Sequence, residues 1–347
     1  MTLMIGSSHR RVRPRFFVFL ACVVGLGVLV FMVAFGSSPT HKPISLLGKK
    51  TAASLIFHIH SNTLPFSLPQ SLSDLQALTV DNSLIVVGIT HQYGSGLSVS
   101  ITPQGLVQGP SPVIFSGGNL IWAQNMAWWS GGMKGHTIQK SALNLESNRT
   151  YTNFLPTPLN RAAAALSPSG SDLFVLGGAS QNTLSDRIYQ MTEASGSFHS
   201  WGLLPVAVEN PTAAVGGNFL IVAGGTLAGG EFNSDIWIYG LLSHHLLTTL
   251  HLPYGIQGSR LVYSHRHFWL LGGEKSSGQL LSSIWLVTQK GVIKTPLHLP
   301  VASAHFGVGV LSHRIWIVGG ITHNGPTHTI RSLTLSVGKM PPHTKRR

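Results

Sequence analysis

From about residue 54 to residue 337 the chain is a succession of short apolar runs separated by clusters of Gly, Asn, Ser and Pro. Runs of that length, bounded by turn residues and lacking a 3.6-residue period, predict β-strands joined by tight turns. Four of them end in a glycine pair: Leu173 to Gly178, Leu220 to Gly225, Phe268 to Gly273 and Ile315 to Gly320, spaced by 47, 48 and 47 residues. A fixed period of this length marks a repeat architecture.

Each copy reads as four strands. The first turns fall at Pro168-Ser169-Gly170-Ser171, Gly216-Gly217-Asn218, Ser264-His265-Arg266 and Ser312-His313-Arg314. The third strands are Arg187 to Met191, Asp235 to Tyr239, Ser283 to Val287 and Ser332 to Val337, and Leu-Pro steps at Leu155, Leu204, Leu252 and Leu299 close the units. Two weaker copies precede these, with first turns expected at Asp81-Asn82-Ser83 and Gly117-Gly118-Asn119. In the second, Asn125 to His136 reads as a loop inserted within the blade. The segment Ser54 to Pro69 resembles a third and fourth strand, whereas the last copy lacks its fourth, so the N-terminus is expected to supply it. Six blades are the preferred count and seven, one incomplete, remain open.

A strand ending in Gly-Gly, a variable loop, then Asp235-Ile236-Trp237-Ile238-Tyr239, with Arg161 near the start of a unit, resembles the kelch repeat over about Asp74 to Val337. The resemblance implies an all-β kelch-type propeller. Physically, a lone four-stranded sheet cannot bury both faces, and radial stacking of sheets can.

The N-terminal segment is of another kind. Phe16 to Phe35 is a run of uncharged, mostly apolar residues preceded by Arg10, Arg11, Arg13 and Arg15. Its length suits a transmembrane helix, and the cationic flank places the N-terminus in the cytoplasm. The expected organisation is a cytoplasmic basic segment (1–15), a membrane-spanning signal anchor (16–35), a linker (36–53), the propeller (54–340) and a basic tail (341–347). The propeller would then be extracytoplasmic; secretion after cleavage near Ala34 and Gly36 is the alternative.

Composition narrows the chemistry. The one cysteine, Cys22, lies in the apolar run, so no intramolecular disulfide forms. It also leaves the propeller without the cysteine that kelch-fold copper oxidases crosslink to tyrosine. No phosphate loop or Asp-box repeat is present, no metal site is specified by spacing, and no cofactor is expected. The whole chain carries +13; seven basic residues through Lys50 leave 16 Lys+Arg against 10 acids, or +6, on the rest. That is too mild, and too little interleaved with aromatics, for a nucleic-acid binder. Scarce acids and 18 histidines suggest a domain exposed to low pH in an acidophilic bacterium.

In such a blade the loops between strands two and three and those between blades share one face. There the sequence places His91, Tyr93, Trp128, Trp129, His136, Arg161, Glu231, Glu274, His323 and His328. Trp128 and Trp129 are the expected ligand platform, with His91, Tyr93, His136 and His323 around it. Glu231, Glu274 and Arg161 are the candidate catalytic groups. Trp237, Trp269, Trp285 and Trp316 repeat inside strands and are expected in the core. Asp186 and Asp235 are expected to tie loops to neighbouring backbone. His58 with His60, and His265 with His267, read as surface histidines, and Asn148-Arg149-Thr150 fits a glycosylation acceptor.

The expected function is a membrane-anchored module binding a protein or cell-envelope glycan through the loop face. The alternatives are a sugar-active enzyme resembling the six-bladed kelch mutarotases of the bacterial periplasm, or a structural scaffold. Acid and Arg side chains converging on the channel mouth would favour the enzyme; a flat Trp-rich rim would favour binding.

Overall fold

The computed structural model describes residues 20–24, 27–31, 55–90, 95–181 and 183–339. Two units are distinguished, 1–43 and 44–347. In the first, Leu20–Val24 and Gly27–Phe31 form an antiparallel pair, with Cys22 opposite Leu29. The helix expected over 16–35 falls largely outside the described residues. No helix long and apolar enough to cross a membrane occurs among the described residues. The rest of the 16–35 segment, the linker and the basic tail lie outside them.

The second unit is a six-bladed β-propeller, all-β among the described residues. Blade I comprises Ser73–Val80, Ser83–Ile89, Gly96–Thr102 and Gly105–Gln108; blade II comprises Ser116–Ala123, Met126–Lys134, Ala142–Asn144 and Thr150–Tyr151. Blade III runs from Ala163–Leu166 through Asp172–Leu176 and Arg187–Thr192 to His199–Leu203. Blade IV runs from Thr212–Gly216 through Phe219–Ala223 and Asp235–Gly240 to Leu246–His251. Blade V comprises Arg260–Ser264, His267–Leu271, Ser283–Thr288 and Gly291–His298. Blade VI is Gly307–Leu311, Arg314–Val318 and Thr329–Lys339, completed by the N-terminal strand Leu55–Ser67.

That last pairing settles the count at six and corrects one expectation. Leu55 to Ser67 is a single continuous outer strand with one irregularity between Thr63 and Ser67, not a third strand followed by a fourth. Its first half, Leu55 to His60, pairs with Leu335 to Lys339 and Thr334 beyond the end of the neighbouring strand, which stops pairing at Leu333. There Leu55, Phe57 and Ile59 pack with Leu335, Ile293 and Leu297 of blades VI and V. A strand buried on one side needs this alternation of side chains.

Each seam between blades carries its own apolar cluster, and tryptophans sit in all six: Trp129 between I and II, Trp128 between II and III, Trp237 between III and IV, Trp285 between IV and V, Trp269 between V and VI, and Trp316 between VI and I. The glycine pairs let the chain leave the second strand close against blade-entry backbone. Gly177 and Gly178 have φ +64° and +87°, and a Cβ on Gly178 would come within 2.8 Å of the Asn160 carbonyl. Only glycine accepts both that backbone and that approach.

Candidate functional site

The inner strands of all six blades surround a central cavity of about 660 Å³. At the inter-blade end, the chain enters each inner strand through one residue in the left-handed region: Asp74 (φ +47°), Gly117 (+72°), Arg161 (+50°), Asn210 (+54°), Gly258 (+63°) and His305 (+55°). The chain must turn abruptly from the rim to the bore here. For a non-glycine residue, this backbone costs about 1–2 kcal/mol. Neighbouring members are linked, Arg161 N–H to the Gly117 carbonyl (2.6 Å), Asn210 N–H to the Arg161 carbonyl (2.7 Å) and His305 N–H to the Gly258 carbonyl (2.8 Å).

Side chains around this ring form polar contacts across the seams. Ser116 Oγ donates to Asp74 Oδ2 at 2.6 Å. Arg161 Nη1 lies 3.2 Å from Glu209 Oε1, with the Arg161 side chain 53% exposed. Thr226 Oγ1 donates to Gln257 Oε1 (2.9 Å), and Gln257 Nε2 donates to Glu274 Oε1 (2.8 Å). His305 Nε2 reaches the same oxygen at 3.2 Å. An ionised carboxylate only accepts, so the imidazole proton sits on Nε2 in this contact. The ring of His305 rests on Gly258, where an added Cβ would come within 2.7 Å of Nε2.

One layer deeper, Arg260 extends across the bore. Nη2 lies 3.4 Å from the Leu75 carbonyl of blade I, and Nη1 lies 3.2 Å from the Ser259 carbonyl. The neighbouring inner strand has Gly307 at the matching position, where an added Cβ would meet Leu75 and Ala77 of blade I. Arg260 lines the cavity and is partly buried, and that burial pushes its pKa down to about 10. It remains charged at neutral pH, with no carboxylate partner within ion-pair distance among the described residues. Asn119, at the matching position of blade II, also lines the cavity, and its buried Nδ2 has no acceptor among them.

Burial lowers the pKa of His305 and the Arg260 charge lowers it further, outweighing the opposing hydrogen bond and charge of Glu274 and the charge of Asp74. The folded protein therefore binds fewer protons at this site than the unfolded chain once pH falls below about 6.5. Its stabilising contribution is fully present above that range and is lost on acidification. His305→Gln is expected to flatten the fall of Tm between about pH 7 and 5. Thermal melts across that range check it, and an unchanged slope overturns it. This residue works against the acid tolerance suggested by composition.

Of the residues expected from sequence, Arg161 and Glu274 stand at the mouth. Glu231 is exposed on the 226–232 loop, and its carbonyl accepts from Leu227 N–H. His136 is exposed in the turn before Thr137–Ile138, and His323 and His328 are exposed on the loop of blade VI. His91 and Tyr93 lie outside the described residues.

Trp128 and Trp129 are not in an inserted loop. The first turn of blade II is Gln124-Asn125, with φ +53° and +57°, and the tryptophans lie in its second strand ahead of Gly131-Gly132. Gly117-Gly118 resembles a hairpin turn but belongs to the blade entry. Strand alternation sends the two indoles to opposite faces, each 2% exposed. Trp128 packs on Phe154 and Tyr151, each 5.0 Å between ring centroids, and Trp129 Nε1 donates to the Phe115 carbonyl. They present no joint platform. Asp235 differs as well: its carboxylate meets His251 Nδ1 at 2.7 Å rather than neighbouring backbone.

Sequence reading missed Asp74, Glu209, Gln257, Arg260 and His305. Aligning the copies on the glycine pairs would have exposed their shared position, since Asn160-Arg161, Glu209-Asn210, Gln257-Gly258 and Ala304-His305 all precede an inner strand. No group of three or more His, Cys, Asp or Glu residues able to hold a metal occurs among the described residues.

No protein-family model matches the chain, and no curated protein matches it. Among solved structures it is similar to one titled "Structure of YjhT", with a TM-score of 0.63 and 12% identity over 80% of this chain and 99% of that one. At that identity, the likeness concerns the fold.

Proposed function

We propose that this chain is a kelch-type propeller held on the outer side of a membrane, and that its channel mouth binds and acts on a small acidic carbohydrate. The observation that carries this reading is the placement of Arg161–Glu209 and Gln257–Glu274–His305 around the inter-blade end of the ring, above the cavity that the carboxylate-free Arg260 lines. Adjacent carboxylate, amide and imidazole groups suit sugar hydroxyls, and a guanidinium without a counter-charge suits an anionic substituent. Burial of both tryptophans removes the surface on which binding of a protein or glycan by a Trp-rich rim chiefly rested.

The chemistry such a site can perform is opening and reclosing of a cyclic sugar hemiacetal. Glu274 takes the proton of the anomeric hydroxyl, the bond between the anomeric carbon and the ring oxygen breaks, and water in the open mouth supplies a proton to that oxygen. Reclosure reverses the transfers, so no oxidant or cofactor is consumed. Neutral His305 holds the carboxylate in place through its Nε2–H. A positioned general base contributes roughly 10²–10⁴-fold.

A panel of neutral and acidic sugars tests this by thermal shift and by anomeric-exchange NMR. An acidic sugar is expected to raise Tm, and its anomers are expected to exchange faster with protein present. Glu274→Gln is expected to lose roughly 10²–10⁴-fold of the catalysed exchange while retaining the thermal shift. Exchange at the solvent rate with intact protein overturns the catalytic part, and absence of any shift overturns the binding part.

A further inference from the structure

The opposite end of the propeller, formed by hairpins within blades, has a divided character. On blades I to III these hairpins carry Asp81, Glu146 and Glu193, with one cation, Arg149, in the blade II hairpin. On blades IV to VI they carry no acid among the described residues; they present His265 and Arg266, Lys290, and His313 and Arg314. The hairpins of blades V and VI adjoin, with the rings of His265 and His313 centred 6.1 Å apart. Beside this basic sector, the blade IV hairpin holds Leu242 at 88% exposure.

The polypeptide enters and leaves the propeller on this same face. Leu55, the first described residue of the closing strand, pairs with Lys339, the last described residue, beyond the turn of blade VI. Ahead of Leu55 the sequence carries Lys42, Lys49 and Lys50 and the apolar run Phe16 to Phe35; after Lys339 it carries Lys345, Arg346 and Arg347. Cations and one protruding apolar side chain suit an anionic lipid surface, where headgroups attract the charges and the leucine enters the acyl boundary. We propose that the hairpin face of blades IV to VI docks on an anionic phospholipid bilayer, directing the channel mouth away from it. The inference is independent of what the mouth binds.

Residues 54–347, which contain the whole closed ring, are incubated with vesicles of phosphatidylcholine alone or mixed with phosphatidylglycerol and sedimented. Binding is expected only to the anionic vesicles and is expected to weaken steeply with salt. Each cation is worth roughly fivefold, so the triple variant Arg266→Gln, Lys290→Gln, Arg314→Gln is expected to lose roughly 100-fold in partitioning. Leu242→Ser is expected to weaken vesicle binding without affecting retention on a soluble polyanion. Lys140→Gln, an exposed cation on the mouth face, is the control and is expected to bind as the parent. Thermal melts confirm that the variants are folded. Absence of sedimentation, equal binding to neutral vesicles, or an equal loss from Lys140→Gln overturns the proposal. Retention on the polyanion without vesicle binding also overturns it, in favour of an acidic envelope polymer.

Discussion

A chain beginning at Gln70 instead of Ser54 is expected to lose the cooperative fold. The strand Leu55–Ser67 is the outer member of blade VI, with ten register partners on Thr329–Lys339. Its removal leaves that strand as an open edge and uncovers Leu335, which is 1% exposed in the complete ring. Leu55, Phe57, Ile59, Leu64 and Phe66 are partly buried side chains packed against the seams of blade VI. At roughly 1 kcal/mol for each, the apolar loss alone is about 5 kcal/mol, against about 5–15 kcal/mol for a whole domain. Circular dichroism melts should show a broad, low transition in place of one sharp one, and the separate 54–69 peptide should partly restore it. A truncated chain melting at the parent temperature would remove closure from the account of stability.

The second large effect is expected at Arg260. Replacement by Met keeps an unbranched stem and removes a guanidinium that lies in the bore and is held only by two carbonyl contacts of 3.2 and 3.4 Å. Exchanging a partly buried charge that has no carboxylate partner for an apolar side chain removes a desolvation cost. Arg260→Met is therefore expected to melt at or above the parent temperature while losing acidic-sugar binding by roughly 10²-fold, the loss of a charge-assisted bidentate contact of about 1.5–3 kcal/mol. Thermal melts and calorimetric titration read the two quantities separately. A large drop in Tm would make Arg260 a structural strut; unchanged affinity would remove it from the binding site.

The distribution of the mouth residues bears on both readings. Most mouth contacts cross a seam, and such contacts also help hold blades in register. Arg161–Glu209 is half-exposed and on general grounds contributes about 0–1 kcal/mol to folding. The left-handed backbone at Asp74, Arg161, Asn210 and His305 is costly where glycine would serve, as Gly117 and Gly258 show in the same ring. Side chains are retained there against that cost, as at sites where side-chain chemistry matters.

Much of the architecture was legible because repetition is a one-dimensional signal. Glycine pairs recurring every 47 or 48 residues located four blades, and the missing last strand indicated where the N-terminus belongs. Blade II was misread because Gly117-Gly118-Asn119 has the composition of the turn Gly216-Gly217-Asn218, and only pairing of Leu120 with Trp129 distinguishes a blade entry from a hairpin. The error moved two tryptophans from opposite seams to a surface loop. A one-element slip matters because side-chain direction alternates at every residue.

The sequence by itself determined most of the strands, the repeat, the charge balance and the absence of an intramolecular disulfide, since each depends on neighbours along the chain or on simple counts. Tertiary structure decided which residues meet. Gln257, Glu274 and His305 share one carboxylate oxygen, and Arg260 reaches Leu75, because six blade entries close into a ring. The partners in that last contact are 185 positions apart in the chain. Local patterning carries no information about such a distance; ring closure alone brings them together.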